Sequence, residues 1–543
     1  MLDGTVVDKA LGDAARIAEL DATETFPSEL LARLDTAGLP AYYVPPERGG
    51  RLDDHEVLLR LWRTVARRDL STIVAHGKTY LGTACVWLAG SDDQAASVAK
   101  AVLGGAPVAW ALSEWEHGAD LLNGALTADG SVDGWRLTGE KWPINNATRA
   151  DLLTVLARTG TAGSARGQSL FLIDKSLLAR QTWRQLPKVA THGIRGVDIS
   201  GIGFDGAPAE LLGEQGTGVE TVLRALQLTR TMCGGLSLGA GEHALRLAGR
   251  FVSTRIIQRK PLIDRAQPRS VLARCAGLLA AAEATALVGA RSIHALTGEM
   301  SVTSAIVKSV VPALTDLVIG ELTELLGARS YLTDVYEHGA FQKLARDHQI
   351  VSVFDGSTPV NRSALAQQFP RLARSYVTET VDRGGLAEAI DIGIRPSELD
   401  RDELVLLSRS GCSVVQSVPA RVAALSDEPE LVAMARSLRA VTAKVVDLMA
   451  GIRPAARPVM EAYELAAAYE LCYAGAACLH LWTERNDVWL RVALHAVLTR
   501  LAVVLRMPAP EAIDYDGLAT LVATAAMTGG PITPFGTEDS RGH

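Results

Sequence analysis

The sequence is short of the features that mark several large protein classes. Across 543 residues no Gly-x-Gly-x-x-Gly follows a strand pattern, so a Rossmann-type dinucleotide site has no support. Six cysteines (Cys85, Cys233, Cys275, Cys412, Cys472 and Cys478) show neither Cys-x-x-Cys nor zinc spacing and read as reduced core residues. The histidines form no His-x-x-x-His pair, and no metal site is assigned. Positive charge is not in excess: the net charge is -7 and the pI about 5.9. Without a basic face to meet phosphates, nucleic acid is excluded as a partner. The start, M-L-D-G-T-V-V-D-K, lacks a basic-then-apolar pattern, and no apolar run reaches about 18 residues without a charge. The expectation is a cytoplasmic protein with no membrane span. What the chain does have is ordinary globular material, 48% hydrophobic and 21% charged, enough for three or four domains of about 150 residues.

Taken in order, residues 1–107 read as a helical domain, with apolar positions at helical spacing from Glu29 and from His55. The breaker cluster Val44-Pro45-Pro46-Glu47-Arg48-Gly49-Gly50 reads as a loop between them. From Val108 the pattern changes to short β-like runs punctuated by Asp129-Gly130 and Asp133-Gly134, which predicts a small antiparallel barrel or sheet domain over 108–218. Helical periodicity returns over 219–375, with helices expected at 219–257, 268–297, 302–329 and 362–374. A further helical region occupies 376–543, with helices at 429–451, 456–482 and 485–507 and a Gly/Pro-rich, flexible tail. The fold class is therefore α+β, mainly α.

The most informative stretch is Arg346 to Asn361, R-D-H-Q-I-V-S-V-F-D-G-S-T-P-V-N. Ile350 to Phe354 deliver one carboxylate, Asp355, onto a Gly-Ser-Thr turn whose small residues let another molecule approach the backbone. A carboxylate in that position can act as a general base or serve as an ordinary turn residue. R-D-x-x-I-x-x-[FY]-[DE]-G-[ST] resembles the catalytic segment of the acyl-CoA dehydrogenases, where the base is usually Glu. Other stretches resemble the same family in the same order. They are Leu112-Ser113-Glu114 with Gly118-Ala119-Asp120, Gly139-Glu140-Lys141 with Ile144-Asn145-Asn146, Leu212 to Gly218, the corner Arg255 to Leu262, and Gly327 to Tyr331.

The resemblance implies a three-domain dehydrogenase core with an added C-terminal helical region, FAD as cofactor, and an acyl thioester substrate on CoA or a carrier protein. It implies Asp355 as the base, Arg230 and Gly356 at the substrate, and Ser113, Gly118, Asn145, Arg255, Gln258, Ser357 and Thr358 at the flavin. It places the flavin between the 108–213 domain and the 219–374 helices, and it implies a separate electron acceptor and a homo-oligomer. Several positions depart from the family pattern: Ala119, Pro143, Asn145, Gln258-Arg259 and Ala266. Asp355 is one methylene shorter than Glu, so its oxygens fall about 1.3–1.5 Å short of the family position. The expected reaction is α,β-dehydrogenation; a flavin monooxygenase or oxidase on the same fold, and a non-catalytic scaffold, remain alternatives at this stage.

Overall fold

The computed structural model describes residues 4–425 and 429–536. They form two compact units, one of residues 4–53 and 64–229, the other of residues 54–63, 230–425 and 429–536. The division falls inside one long helix, Gly218–Thr254.

The first unit begins with short amphipathic helices and then the helix Leu70–Ala89, which is buried along nearly its whole length. Asp69 starts that helix by accepting the Thr72 N–H at 2.9 Å, and Ser91 with Gln94 starts the next one, Asp92–Leu103, through reciprocal capping. Seven strands follow: β1 (Val108–Ala111), β2 (Thr127–Ser131), β3 (Gly134–Asn145), β4 (Leu152–Arg158), β5 (Gln168–Asp174), β6 (Trp183–Leu186) and β7 (Ile199–Leu212). Pairing runs β1-β4-β2-β3-β7-β5, and β5 also pairs with β4, so the sheet closes on itself as a barrel. Its interior is filled by Leu137, Leu153, Val155, Phe171, Ile173, Ile202 and Phe204.

Two details differ from the sequence expectation. The barrel is not wholly antiparallel, since β4 runs parallel to both β1 and β2. Asp129-Gly130 is not a turn but part of β2, where a Cβ on Gly130 would sit 3.2 Å from the Trp135 ring; the hairpin turns instead at Val132 and Asp133.

The second unit is helical. Its centre is the helix Ala266–Ala295, flanked by Met300–Leu326 and by two helices of the C-terminal region, Met460–Leu481 and Asp487–Val504. Close approach depends on small residues: a Cβ on Gly277 would lie 2.7 Å from Val492 Cγ1, and one on Gly249 would lie 2.6 Å from Ala526 Cβ. Arg63 is buried between Glu242 and Glu283 and also donates to the Ile532 carbonyl at 3.2 Å, so the chain's last described stretch is tied to this core. The remainder of the tail, from residue 537, lies outside the described residues. Two helical stretches, Ala266–Ala295 and Thr297–Ser330, are long and apolar enough to cross a membrane, and 94% and 83% of their apolar windows are buried inside the protein.

The helix expected at 362–374 is two helices, Thr358–Ala366 and Phe369–Val377, broken at Gln367 and Gln368. A helix not expected, Ala340–His348, precedes the Asp355 turn.

Candidate active site

The second unit assembles Asp355, Gly356 and Arg230 into one cluster. Ile350 to Asp355 form a chain of turns between Ala340–His348 and Thr358–Ala366. Asp355 and Gly356 both take positive φ, 56° and 100°, a sharp reversal that turns the chain back on itself. Four carbonyls along the reversal are held by side chains. Lys308 Nζ donates to Val351 O at 2.6 Å, Arg230 Nε to Asp355 O at 2.9 Å, and Asn361 Nδ2 to Gly356 O at 2.8 Å and Ser357 O at 3.1 Å. The N–H groups of Gly356 and Ser357 donate to no partner among the described residues.

Arg230 is 9% exposed. Burial pushes its guanidinium down to about 10, against the opposing pull of Asp355 and Cys233. A Cβ on Gly356 would lie 2.7 Å from Arg230 Nη2, so glycine there makes room for the cation. The Cys233 thiol donates to Asp355 Oδ2 at 3.7 Å. The sequence reading missed Cys233, although its spacing of three residues from Arg230 on one helix puts both on the same face.

Upstream, His348 is fully buried between Ser237 Oγ, 2.9 Å from Nε2, and Asp316 Oδ1, 2.7 Å from Nδ1. Gly235-Leu236-Ser237-Leu238-Gly239 has the Gly-x-Ser-x-Gly spacing of a hydrolase elbow, which makes a Ser-His-Asp reading tempting. It fails on context: Ser237 lies in the middle of the Gly218–Thr254 helix with no exposed surface, where no substrate reaches it. The chain Ser237-His348-Asp316 instead fixes the end of the helix that leads into the turn.

Downstream, Arg362 on Thr358–Ala366 meets Glu470 on Met460–Leu481 through Nε, 3.2 and 3.1 Å from Oε1 and Oε2, and Nη2, 3.0 Å from Oε2. Burial pushes the Glu470 carboxyl up to about 7 in spite of Arg362. The C-terminal region is thereby bonded to the helix that carries the Asp355 turn.

The remaining sequence candidates are placed as follows. In the second unit, Arg255 is exposed just past the end of Gly218–Thr254, with no side-chain partner among the described residues. Gln258 has positive φ and accepts from Arg265 at 3.0 Å through Oε1. Ser357 precedes Thr358–Ala366 without capping it through its side chain. In the first unit, Ser113 is half-buried and its carbonyl accepts from Trp142 N at 2.9 Å. Gly118 is exposed with open space where a Cβ would stand. Asn145 donates to Val74 O at 3.2 Å while its Oδ1 is buried without a partner among the described residues.

The Ser113 loop is held by a buried ion pair between Glu114 and Lys141 at 2.7 Å; Glu114 also accepts from Ala125 N and Leu126 N, at 2.6 and 3.1 Å. Burial drives Glu114 upward, but Lys141 and these bonds hold it below the usual carboxylate range, while burial leaves Lys141 below its ordinary value. Each unit by itself offers a group that suits a flavin dinucleotide: in the second, Arg255 is a cation with no side-chain partner among the described residues, as a pyrophosphate requires, and in the first, Asn145 Oδ1 is a buried acceptor with no donor among the described residues.

Comparison with known proteins gives the family. The sequence matches the N-terminal, middle and C-terminal domains of acyl-CoA dehydrogenase over residues 5–106, 109–207 and 216–369. It is 27% identical over 362 residues to the probable acyl-CoA dehydrogenase FadE25 of Mycobacterium tuberculosis, covering 66% of this chain and 91% of that protein. An acyl-CoA dehydrogenase from Bacillus anthracis solved with FAD superposes with a TM-score of 0.69 at 17% identity, over 92% of this chain and 89% of that one. The prolyl acyl carrier protein oxidase AnaB superposes with a TM-score of 0.60 at 18% identity, over 67% and 97%. The chain belongs to the acyl-CoA dehydrogenase family, FAD-binding oxidoreductases that act on CH–CH donors.

Proposed function

We propose that the protein catalyses α,β-dehydrogenation of an acyl thioester carried on CoA or on a carrier protein, with Asp355 as the base. The observation that carries this reading is the Asp355 turn: a carboxylate on a backbone pinned by Arg230 and Asn361, followed by two N–H groups with no acceptor among the described residues. Asp355 takes the α-proton of the substrate. The Gly356 and Ser357 N–H groups polarise the thioester carbonyl and stabilise the negative charge that develops there. Arg230 fixes the turn through its hydrogen bond to the Asp355 carbonyl. FAD supplies the acceptor for the β-hydride. Ser113, Gly118 and Asn145 are the flavin contacts of the first unit, and Arg255, Gln258, Ser357 and Thr358 those of the second. An electron acceptor then takes up the reducing equivalents.

CoA and carrier protein are both kept as carriers, since an acyl-CoA dehydrogenase and the carrier-protein oxidase AnaB both share the fold. The exposed Ile256 and Ile257 on the corner after Gly218–Thr254 support assembly into a homo-oligomer. The protein acts in the cytoplasm, as a soluble enzyme with no membrane span.

Anaerobic mixing of the flavin-loaded protein with a panel of acyl-CoA and acyl-carrier thioesters tests the reading. Bleaching of the flavin by one of them without oxygen uptake is the expected result. Asp355→Asn should keep the flavin and lower the reduction rate by about 10²–10⁴-fold, the range for loss of a general base. Wild-type reduction by Asp355→Asn at equal flavin occupancy would refute Asp355 as the base; rapid oxygen uptake would favour an oxidase.

A further inference from the structure

A cleft of about 490 Å³ opens in the first unit, and none of the residues proposed above for flavin or substrate lines it. Its size falls in the range of small-molecule sites. One wall is the Asp35 end of the helix Ser28–Thr36, and another is the Ala75, His76 and Thr79 face of Leu70–Ala89. The segment after β3, with Asn146, Thr148 and Arg149, completes it.

The polar groups of the cleft are only partly satisfied from within. His76, 6% exposed, is gripped on both sides: the Tyr43 hydroxyl lies 2.8 Å from Nδ1, and Asp35 Oδ1 lies 3.0 Å from Nε2. That arrangement fixes Asp35 while leaving its Oδ2 without a hydrogen-bond partner among the described residues. Asn146, 1% exposed, donates from Nδ2 to Ala75 O at 2.7 Å, and its Oδ1 is buried with no partner among the described residues. Arg149 donates to Ser28 Oγ at 3.1 Å and lies 3.6 Å over the Phe26 ring, with no carboxylate paired to it among the described residues. The cleft thus offers one buried acceptor with no donor among the described residues, a half-buried carboxylate oxygen and an exposed cation with no carboxylate paired to it among the described residues.

A buried acceptor left unmade costs about 1–3 kcal/mol, so a ligand that supplies donors is favoured over one that does not. A simple anion would answer Arg149 and meet Asp35 with like charge. A simple amine would answer Asp35 and leave Arg149 unmatched. We propose that the cleft binds a small zwitterion of the α-amino-acid type, with its ammonium on Asp35 and Asn146, its carboxylate on Arg149, and an apolar side chain against Leu31, Val102 and Pro107. The site is independent of the dehydrogenation reading, because it shares no residue with it.

Isothermal titration of the full-length, flavin-loaded protein with L-valine, L-leucine and L-phenylalanine, and with isobutylamine and isovalerate as the separate halves, tests this. At least one amino acid should bind with a Kd below about 1 mM, and both halves at least about tenfold more weakly. Arg149→Gln, a change at an exposed position, should weaken that binding about tenfold or more while the flavin spectrum and melting temperature stay at wild type, and Asp35→Asn should do the same. Three results would each overturn the proposal: no heat from any of the three amino acids at about 10 mM, a half-molecule that binds as tightly as the whole, or unchanged affinity in folded Arg149→Gln.

Discussion

Gly356→Ala probes the proposed site without touching a charged group. At φ 100° an alanine is strained, and a residue held in such a region costs about 1–3 kcal/mol. The added methyl also stands 2.7 Å from Arg230 Nη2 and 3.2 Å from Cζ and Nε, so the guanidinium must move by several tenths of an ångström. Nε is the atom that holds the Asp355 carbonyl at 2.9 Å, and a hydrogen bond to a charged donor contributes about 1.5–3 kcal/mol. If both effects act in full, the turn is destabilised by about 2.5–6 kcal/mol, against a typical whole-domain stability of about 5–15 kcal/mol. The protein should therefore fold, melt a few degrees lower by calorimetry, and bind flavin. Asp355 would be misplaced on the scale of an ångström, and anaerobic stopped-flow should show substrate reduction of the flavin slowed about 10²-fold. A variant that melts within about 1 °C of wild type and reduces at the wild-type rate would show that the turn does not depend on the Gly356–Arg230 contact.

Two further predictions concern buried charge. The Glu470 carboxyl stands at about 7 in the folded protein against an ordinary value of 4.5, so the native state holds a proton the unfolded chain has released. The stability from this group is fully present below about pH 4.5 and is lost as pH rises through about 7, with a total of about 3 kcal/mol. Glu470→Gln removes the titration, so urea unfolding should show the variant gaining on wild type between pH 5 and pH 8; parallel curves would contradict the assignment. Lys141→Met should cost about 3–5 kcal/mol by leaving Glu114 buried and unpaired, and should loosen the loop that carries Ser113. Proteolysis that cuts this variant within residues 113–126 no faster than wild type would count against that clamp.

The sequence made the family's order of motifs visible, because Asp355-Gly356, Glu114 and Lys141 are read from neighbours within a few positions. It did not show what holds them. Arg362 and Glu470 are 108 residues apart, and no local periodicity reports a contact over that distance. The helix Ala340–His348 escaped notice because its buried positions include Lys343, Asp347 and His348, which pair with one another or with distant residues instead of forming an apolar stripe. Gly130 read as a turn signal because Asp-Gly usually is one; its real service is to leave space for Trp135 across the hairpin. The unmatched acceptor of Asn146 and the cation of Arg149 are invisible to any reading that lacks neighbours in space.

Glycines 249 and 277 carry a consequence for the history of the chain. Each is a notch in a helix of the family core, and each is filled by a residue of the added region, Ala526 and Val492. A helix that has given up side chains to let a neighbour in cannot do without that neighbour: removal of the C-terminal region would leave bare furrows along Gly218–Thr254 and Ala266–Ala295 in place of a finished surface. The addition works as a ratchet, easy to retain and hard to lose. The added helices and the helices they notch should melt together in one transition, and a shortened gene should yield aggregate instead of a smaller enzyme.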